Sequence, residues 1–202
     1  MPKALLNRIA ELALAVAVLA LLAVGAFSLR GLSLAGASER WVGHTHEVLE
    51  GLQGLLVATQ RVESSTRGFA LTGADSHLAF YQAGASKARQ DLSSIRHLVA
   101  DNPDQLRYLN QLRALVEQKI QVGEEVIDLR RRSGLEAAAA AIATGAGQRL
   151  MQDLEALLGT LRNEEWRLLA LRNADAKQRL SQAKSVLIFG DLVGLLIVVG
   201  AF

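Results

Sequence analysis

Apolar positions recur at alternating intervals of three and four along most of the chain, and no strand-type alternation of useful length appears. Trp41, Thr45, Val48, Leu52, Leu55, Thr59, Val62, Thr66 and Phe69 form one such seam. Leu78, Tyr81, Ala85, Ala88, Leu92, Ile95 and Val99 form a second. Leu109, Leu112, Val116, Ile120 and Ile127 form a third. Leu150, Leu154, Leu157, Leu161, Glu164, Leu168 and Leu171 form a fourth, which turns polar at Asp175 and Gln178. Apolar residues at this spacing line one face of a helix and pack against the same stripe on neighbouring helices. The pattern predicts an all-α fold, an elongated up-down-up-down four-helix bundle.

The breaks between seams carry helix punctuation. Asn102-Pro103-Asp104-Gln105 offers an N-cap, a proline at the first helical position and a glutamine where a capping box places one. "RRRSG" at 130–134 sets three cations at a helix C-terminus, ahead of a glycine. A short Ala-rich helix is expected over 135–143. "FALTGAD" at 69–75 and "AIATGAG" at 141–147 are two similar corners, each with Thr-Gly after an apolar turn. Glycine supplies the left-handed residue that ends a helix. Both corners are expected at the end of the bundle away from the membrane.

Two longer apolar runs flank these seams. The stretch 12–29, "LALAVAVLALLAVGAFSL", has 18 residues and no charge, about 27 Å of helix against a hydrocarbon core of about 30 Å. The stretch 186–202, "VLIFGDLVGLLIVVGAF", is apolar apart from Asp191. The expected organisation is a cytoplasmic N-terminus (1–11), a transmembrane helix (12–30), a periplasmic four-helix domain (31–184) and a second transmembrane helix (185–202) that stops at the chain end. A cleaved signal peptide ending near "AGA" at 35–37 is the rival for the first span. The run exceeds the usual signal core of about 7–15 residues, which favours an uncleaved anchor. Lys3 and Arg8 precede it, which keeps the N-terminus inside. The chain is thus expected as a multi-pass protein of the bacterial inner membrane.

Composition narrows the function classes. The 202 residues carry a net charge of +2, no cysteine and 4% aromatics. Nothing here builds a nucleic-acid surface, and disulfides and thiolate chemistry are excluded. His44 and His46 point to different sides of a helix, and His77 and His97 stand apart, so no metal site is expected. Glu164 and Glu165 diverge by about 100° on a helix, so they are no acid–base pair, and only Glu164 falls on the seam. "GAG" at 145–147 lacks the strand and lysine of a phosphate loop. No catalytic or cofactor-binding residue is expected.

Two groups of residues remain as candidates. Thr45, Thr59 and Thr66 interrupt the first seam, and Glu63 and Arg67 stand at i, i+4. One reading makes Glu63, Thr66 and Arg67 part of a polar pocket in which Arg67 receives an anion. The plainer reading, which carries more weight, is a surface ion pair worth about 0.2–0.5 kcal/mol with threonines bonded to preceding carbonyls. In the second span, Gly190 and Gly194 form GxxxG around Asp191, a motif for close helix packing. Asp191 is expected either buried at that packing face, with Ser28 or Arg30 as partner, or hydrated near the headgroups.

Five stretches in order then suggest a family: "WVGHTHEVLEGL", "VESSTRGFALTG", "LVADNPDQLRYLNQLRAL", "VIDLRRRSGLEAAAAAIATGAGQRLM" and "EEWRLLALRNADA". Together, over 41–176, they resemble the CHASE domain of the third class, an extracellular sensory module of bacterial signalling receptors. The resemblance implies a periplasmic four-helix sensor without enzymatic activity, upstream of a two-component histidine kinase or, less commonly, of a diguanylate cyclase or chemoreceptor output. It implies a homodimer in a lipid bilayer that answers an unknown small-molecule or protein signal. The family's ligands are mostly unassigned, so no binding residue carries over. The chain stops within the second span, before any phosphoacceptor helix or ATP lid, as a fragment or a receptor reduced to its input half would. A stand-alone helical membrane scaffold is the alternative of a different class.

Overall fold

The computed structural model describes the backbone of residues 3–200 and an unbroken run of side chains from 40 to 182, with scattered positions on either side. Among the described residues there are four helices and no strand: α1 (Lys3–Thr72), α2 (Ser76–Leu98), α3 (Pro103–Ala143) and α4 (Ala146–Gly200). The chain divides into two compact units, one of Gly43–Leu168 and one of Met1–Val42 with Leu169–Phe202.

The Gly43–Leu168 unit is an antiparallel four-helix bundle, and its cross-helix contacts run in opposite directions along each neighbouring pair. A Cβ on Gly68 would strike the His77 ring, one on Gly54 would meet Asp91, and one on Gly51 would meet Ile95. Positions falling along α1 thus meet positions rising along α2. Arg96 donates to Asn110 and Arg89 to Glu117 between α2 and α3. Gln105 reaches Glu165, and Lys119 reaches Gly147, between α3 and α4. One core joins all four helices, with Leu52 and Leu55 on α1, Ala88 and Ile95 on α2, Leu112 and Val116 on α3, and Leu154 and Leu158 on α4.

The expected punctuation is present. Gly73 and Gly145 take left-handed φ of 69° and 71°. Their amides donate to Phe69 O at 2.8 Å and Ile142 O at 3.0 Å. The two corners also share a detail: the Thr72 and Thr144 hydroxyls accept from the amides of Ala74 and Ala146. Gly134, at φ 83°, breaks α3 between its long arm and the Ala-rich 135–143 segment. The Asn102 side chain accepts from the amides of Asp104 and Gln105. The capping box stays half-formed, because the Gln105 amide group turns inward to Glu165.

The seams of α1, α2 and α3 are buried as expected, except that Trp41 is 37% exposed and Leu78 is only partly covered. The α4 seam is corrected. Beyond Leu154 the buried positions are Leu158, Leu161, Glu165 and Leu169, whereas Leu157, Glu164 and Leu168 lie at the margin. Adjacent leucines at 157–158 and 168–169 satisfy two registers one residue apart, and bundle packing selects the second.

The Met1–Val42 and Leu169–Phe202 unit has its own polar contacts. The Arg172 guanidinium lies 3.7 Å from the centre of the Trp41 ring. Asp175 is an exposed partner of Arg179 at 2.9 Å, and Leu171 is 54% exposed, so neither continues a buried seam. Among the described residues no helix is long and apolar enough to cross a membrane. The side chains of the predicted spans 12–30 and 185–202 lie largely outside the described residues, and those of Ser28, Arg30, Asp191 and Gly194 do so entirely. Gly190 is exposed, with nothing within 4 Å of the place a Cβ would take.

Candidate functional site

A cavity of about 30 Å³ opens between α1, α3 and α4, near the end of the bundle that carries the two Thr-Gly corners. Glu63, Thr66 and Arg67 line it from α1, which brings the three residues singled out in the sequence into one site. Lys119, Val122 and Gly123 line it from α3, Ala141 and Ile142 from the segment after Gly134, and Gly147 and Gln148 from α4.

The chemistry centres on Lys119, which is only 4% exposed. Its ammonium donates to Glu63 Oε2 and, at 2.9 Å, to the carbonyl of Gly147. Glu63 Oε1 accepts from Arg67 at 2.5 Å. One carboxylate therefore serves two cations. Arg67 is half exposed, as a surface pair requires, but Glu63 is 16% exposed and its second partner is buried. Burial pushes the Lys119 ammonium below its ordinary pKa, and the Glu63 carboxylate only partly offsets this.

Two glycines make room for this arrangement. A Cβ on Gly147 would stand 3.0 Å from Lys119 Nζ. A Cβ on Gly123 would stand 2.9 Å from Thr66 Oγ1 and 2.7 Å from the Tyr81 ring. Below the cavity the Tyr81 hydroxyl donates to Ile120 O at 2.6 Å. Its burial, followed by the nearby Glu124 charge, raises the phenol well above its usual pKa. On the outer surface Arg89 forks onto Glu117, and this hydrogen-bonded pairing holds the Glu117 carboxyl below the usual carboxylate range.

The threonines divide. Thr59 and Thr66 donate to carbonyls one turn back, at 2.8 Å to Leu56 O and 2.8 Å to Val62 O. Thr45 instead donates across the bundle to Glu165 Oε2 at 3.2 Å, while Gln105 donates to Oε1. Glu165, 2% exposed, is thus a buried carboxylate held by α1 and α3 at the opposite end of the bundle from the cavity. Glu164, expected on the seam, is an external partner of Arg167. Among the described residues no cluster of His, Asp or Glu is disposed to hold a metal.

Sequence reasoning missed Lys119, Gly123, Gly147 and the Thr45–Gln105–Glu165 layer. A signal for Lys119 was present: it stands three residues after Val116 and seven after Leu112, on the apolar face.

The CHASE3 domain profile matches residues 38–175. Among solved structures, the sensor domain of the Rhodopseudomonas palustris histidine kinase HK9 is similar, with 25% sequence identity and a TM-score of 0.59. The alignment covers 62% of this chain and 98% of that one. No curated protein matches. A match across most of the chain, joined to a bundle shared with a sensor domain, makes this chain a member of the CHASE3 family of non-catalytic sensory input domains, the extracellular parts of membrane receptors.

Proposed function

We propose that this chain is the periplasmic input region of a bacterial inner-membrane receptor that works as a homodimer and controls a two-component histidine kinase output. The observation that carries the reading is the similarity of the bundle to nearly the whole of a histidine kinase sensor domain. The apolar runs at 12–29 and 186–202 support the membrane placement. The family model and the structural neighbour leave the output class open, and a diguanylate cyclase or chemoreceptor output would use the same input.

The signal passes along α4, which has no proline, and no glycine between Gly159 and Gly190. A stimulus shifts such an element only by binding one of its arrangements better than another. Single cysteines placed in turn over 168–182 test this. Cross-linking between two copies is expected to follow a helical periodicity and to change phase or intensity when the stimulus is added. A pattern identical with and without stimulus contradicts the mechanism.

A further inference from the structure

Resting on the reading of this domain as a sensor, we propose that the cavity beside Lys119 takes a small aliphatic monocarboxylate, and that the 135–143 segment is the lid that admits it. Two observations converge on an anion. Lys119 and Arg67 share the single carboxylate of Glu63, so the cavity wall carries one uncompensated positive charge. Two of the three N–H donors of Lys119 are used, by Glu63 and by the Gly147 carbonyl, which leaves one for a ligand.

The rest of the wall selects an apolar body. Val122 and Val126 of α3 line it together with Ala141 and Ile142 from the segment after Gly134. A bare inorganic anion would leave those side chains unused. A short alkyl chain behind the carboxylate covers them.

The cavity is partly open to solvent and has room inside for about 30 Å³, one or two waters, so seating an occupant of several atoms needs a wall that moves. The 135–143 segment is built for that. It lies between two left-handed glycines, Gly134 and Gly145. It is seated through a separate small cluster of Ala70, Val126 and Ala138 with Ala141 and Ile142 against it. Alanines bury little area, so displacing this segment costs far less than displacing a leucine-rich helix.

The test is calorimetric titration of the 202-residue chain with butyrate, set beside n-butanol, n-butylammonium and inorganic phosphate. Saturable one-site binding of butyrate is expected, with at least tenfold weaker binding of the other three. Arg67→Gln is expected to weaken butyrate binding about tenfold, and Ile142→Trp, which fills the cavity, to abolish it with the fold retained by circular dichroism. Butyrate binding no tighter than butanol, or unaffected by both substitutions, overturns the proposal. Tight phosphate binding that needs Arg67 but not an open Ile142 site also overturns it. No outcome of this titration bears on the cross-linking along α4, so the sensor reading and the ligand class stand or fall separately.

Discussion

Glu63→Ala is expected to destabilise the bundle by about 3 kcal/mol, whereas Lys119→Met, which removes the other half of the pair, costs about 1 kcal/mol or less. The asymmetry follows from what each change leaves behind. Removing Glu63 strands a buried ammonium with only the Gly147 carbonyl for a partner, and an uncompensated buried charge costs about 3–5 kcal/mol. The remaining carbonyl places the expected cost at the low end. Removing Lys119 leaves Glu63 paired with the half-exposed Arg67, and methionine fills a similar volume with apolar atoms. Urea denaturation of both variants at pH 7 decides the matter, and equal losses would show that the pair is not buried as described.

The same variants carry a pH signature. The native Lys119 has a lower pKa than in the unfolded chain, so between the two values the unfolded state binds more protons and stability rises with pH. Glu63 is the partner that holds the native value up. Its removal lowers that value further and widens the window. Glu63→Ala is therefore expected to recover part of its deficit relative to wild type as the pH is raised from 7 toward the ordinary lysine pKa of about 10.4. Lys119→Met is expected to lose the lysine-dependent part of the slope.

Leu112→Ala is expected to cost about 2–5 kcal/mol, the range for deleting a core leucine whose surroundings relax only partly. Leu112 is 0% exposed and sits within the core shared by all four helices. Leu71→Ala provides the contrast. Leu71, in the last turn of α1, has 66% of its surface exposed, and its truncation is expected to change stability by no more than about 0.5 kcal/mol. Denaturation midpoints compared at equal slope measure both. A small loss for Leu112→Ala would mean that the four seams do not meet in one core.

The comparison of α1 with α4 shows why one helix was readable in the sequence and the other only in part. Along α1 the register one residue later, at 46, 49, 53, 56, 60, 63 and 67, is apolar only at Leu49 and Leu56, so the seam from Thr45 to Phe69 buries far more apolar surface, and the structure follows it. Along α4 the leucine pairs at 157–158 and 168–169 leave two registers nearly equal. The choice falls to residues on other helices, because Thr45 and Gln105 can satisfy a carboxylate at 165. The helix ends were legible for a different reason: Asn102, Gly73, Gly134 and Gly145 act through their own backbone and need no distant partner.

The site was half legible. Glu63, Thr66 and Arg67 share a face of one helix and can be grouped from spacing alone. Lys119 and Gly147 join them only through packing of residues 56 and 84 positions further along the chain than Glu63. A lysine on an apolar stripe is ambiguous until its partner is placed, since its long stem can carry the charge out to water. Here the stem ends at Glu63 instead, which turns a surface ion pair into the buried centre of a cavity.

The central claim is that this bundle controls an output through α4. The most direct test joins the chain to a histidine kinase output and inserts one to seven residues into α4 after Gln182, with autophosphorylation measured in membranes. The account predicts that activity rises and falls with a period near 3.6 residues, and that removal of residues 43–168 flattens the profile. Equal activity at every length, unchanged by loss of the bundle, would contradict it.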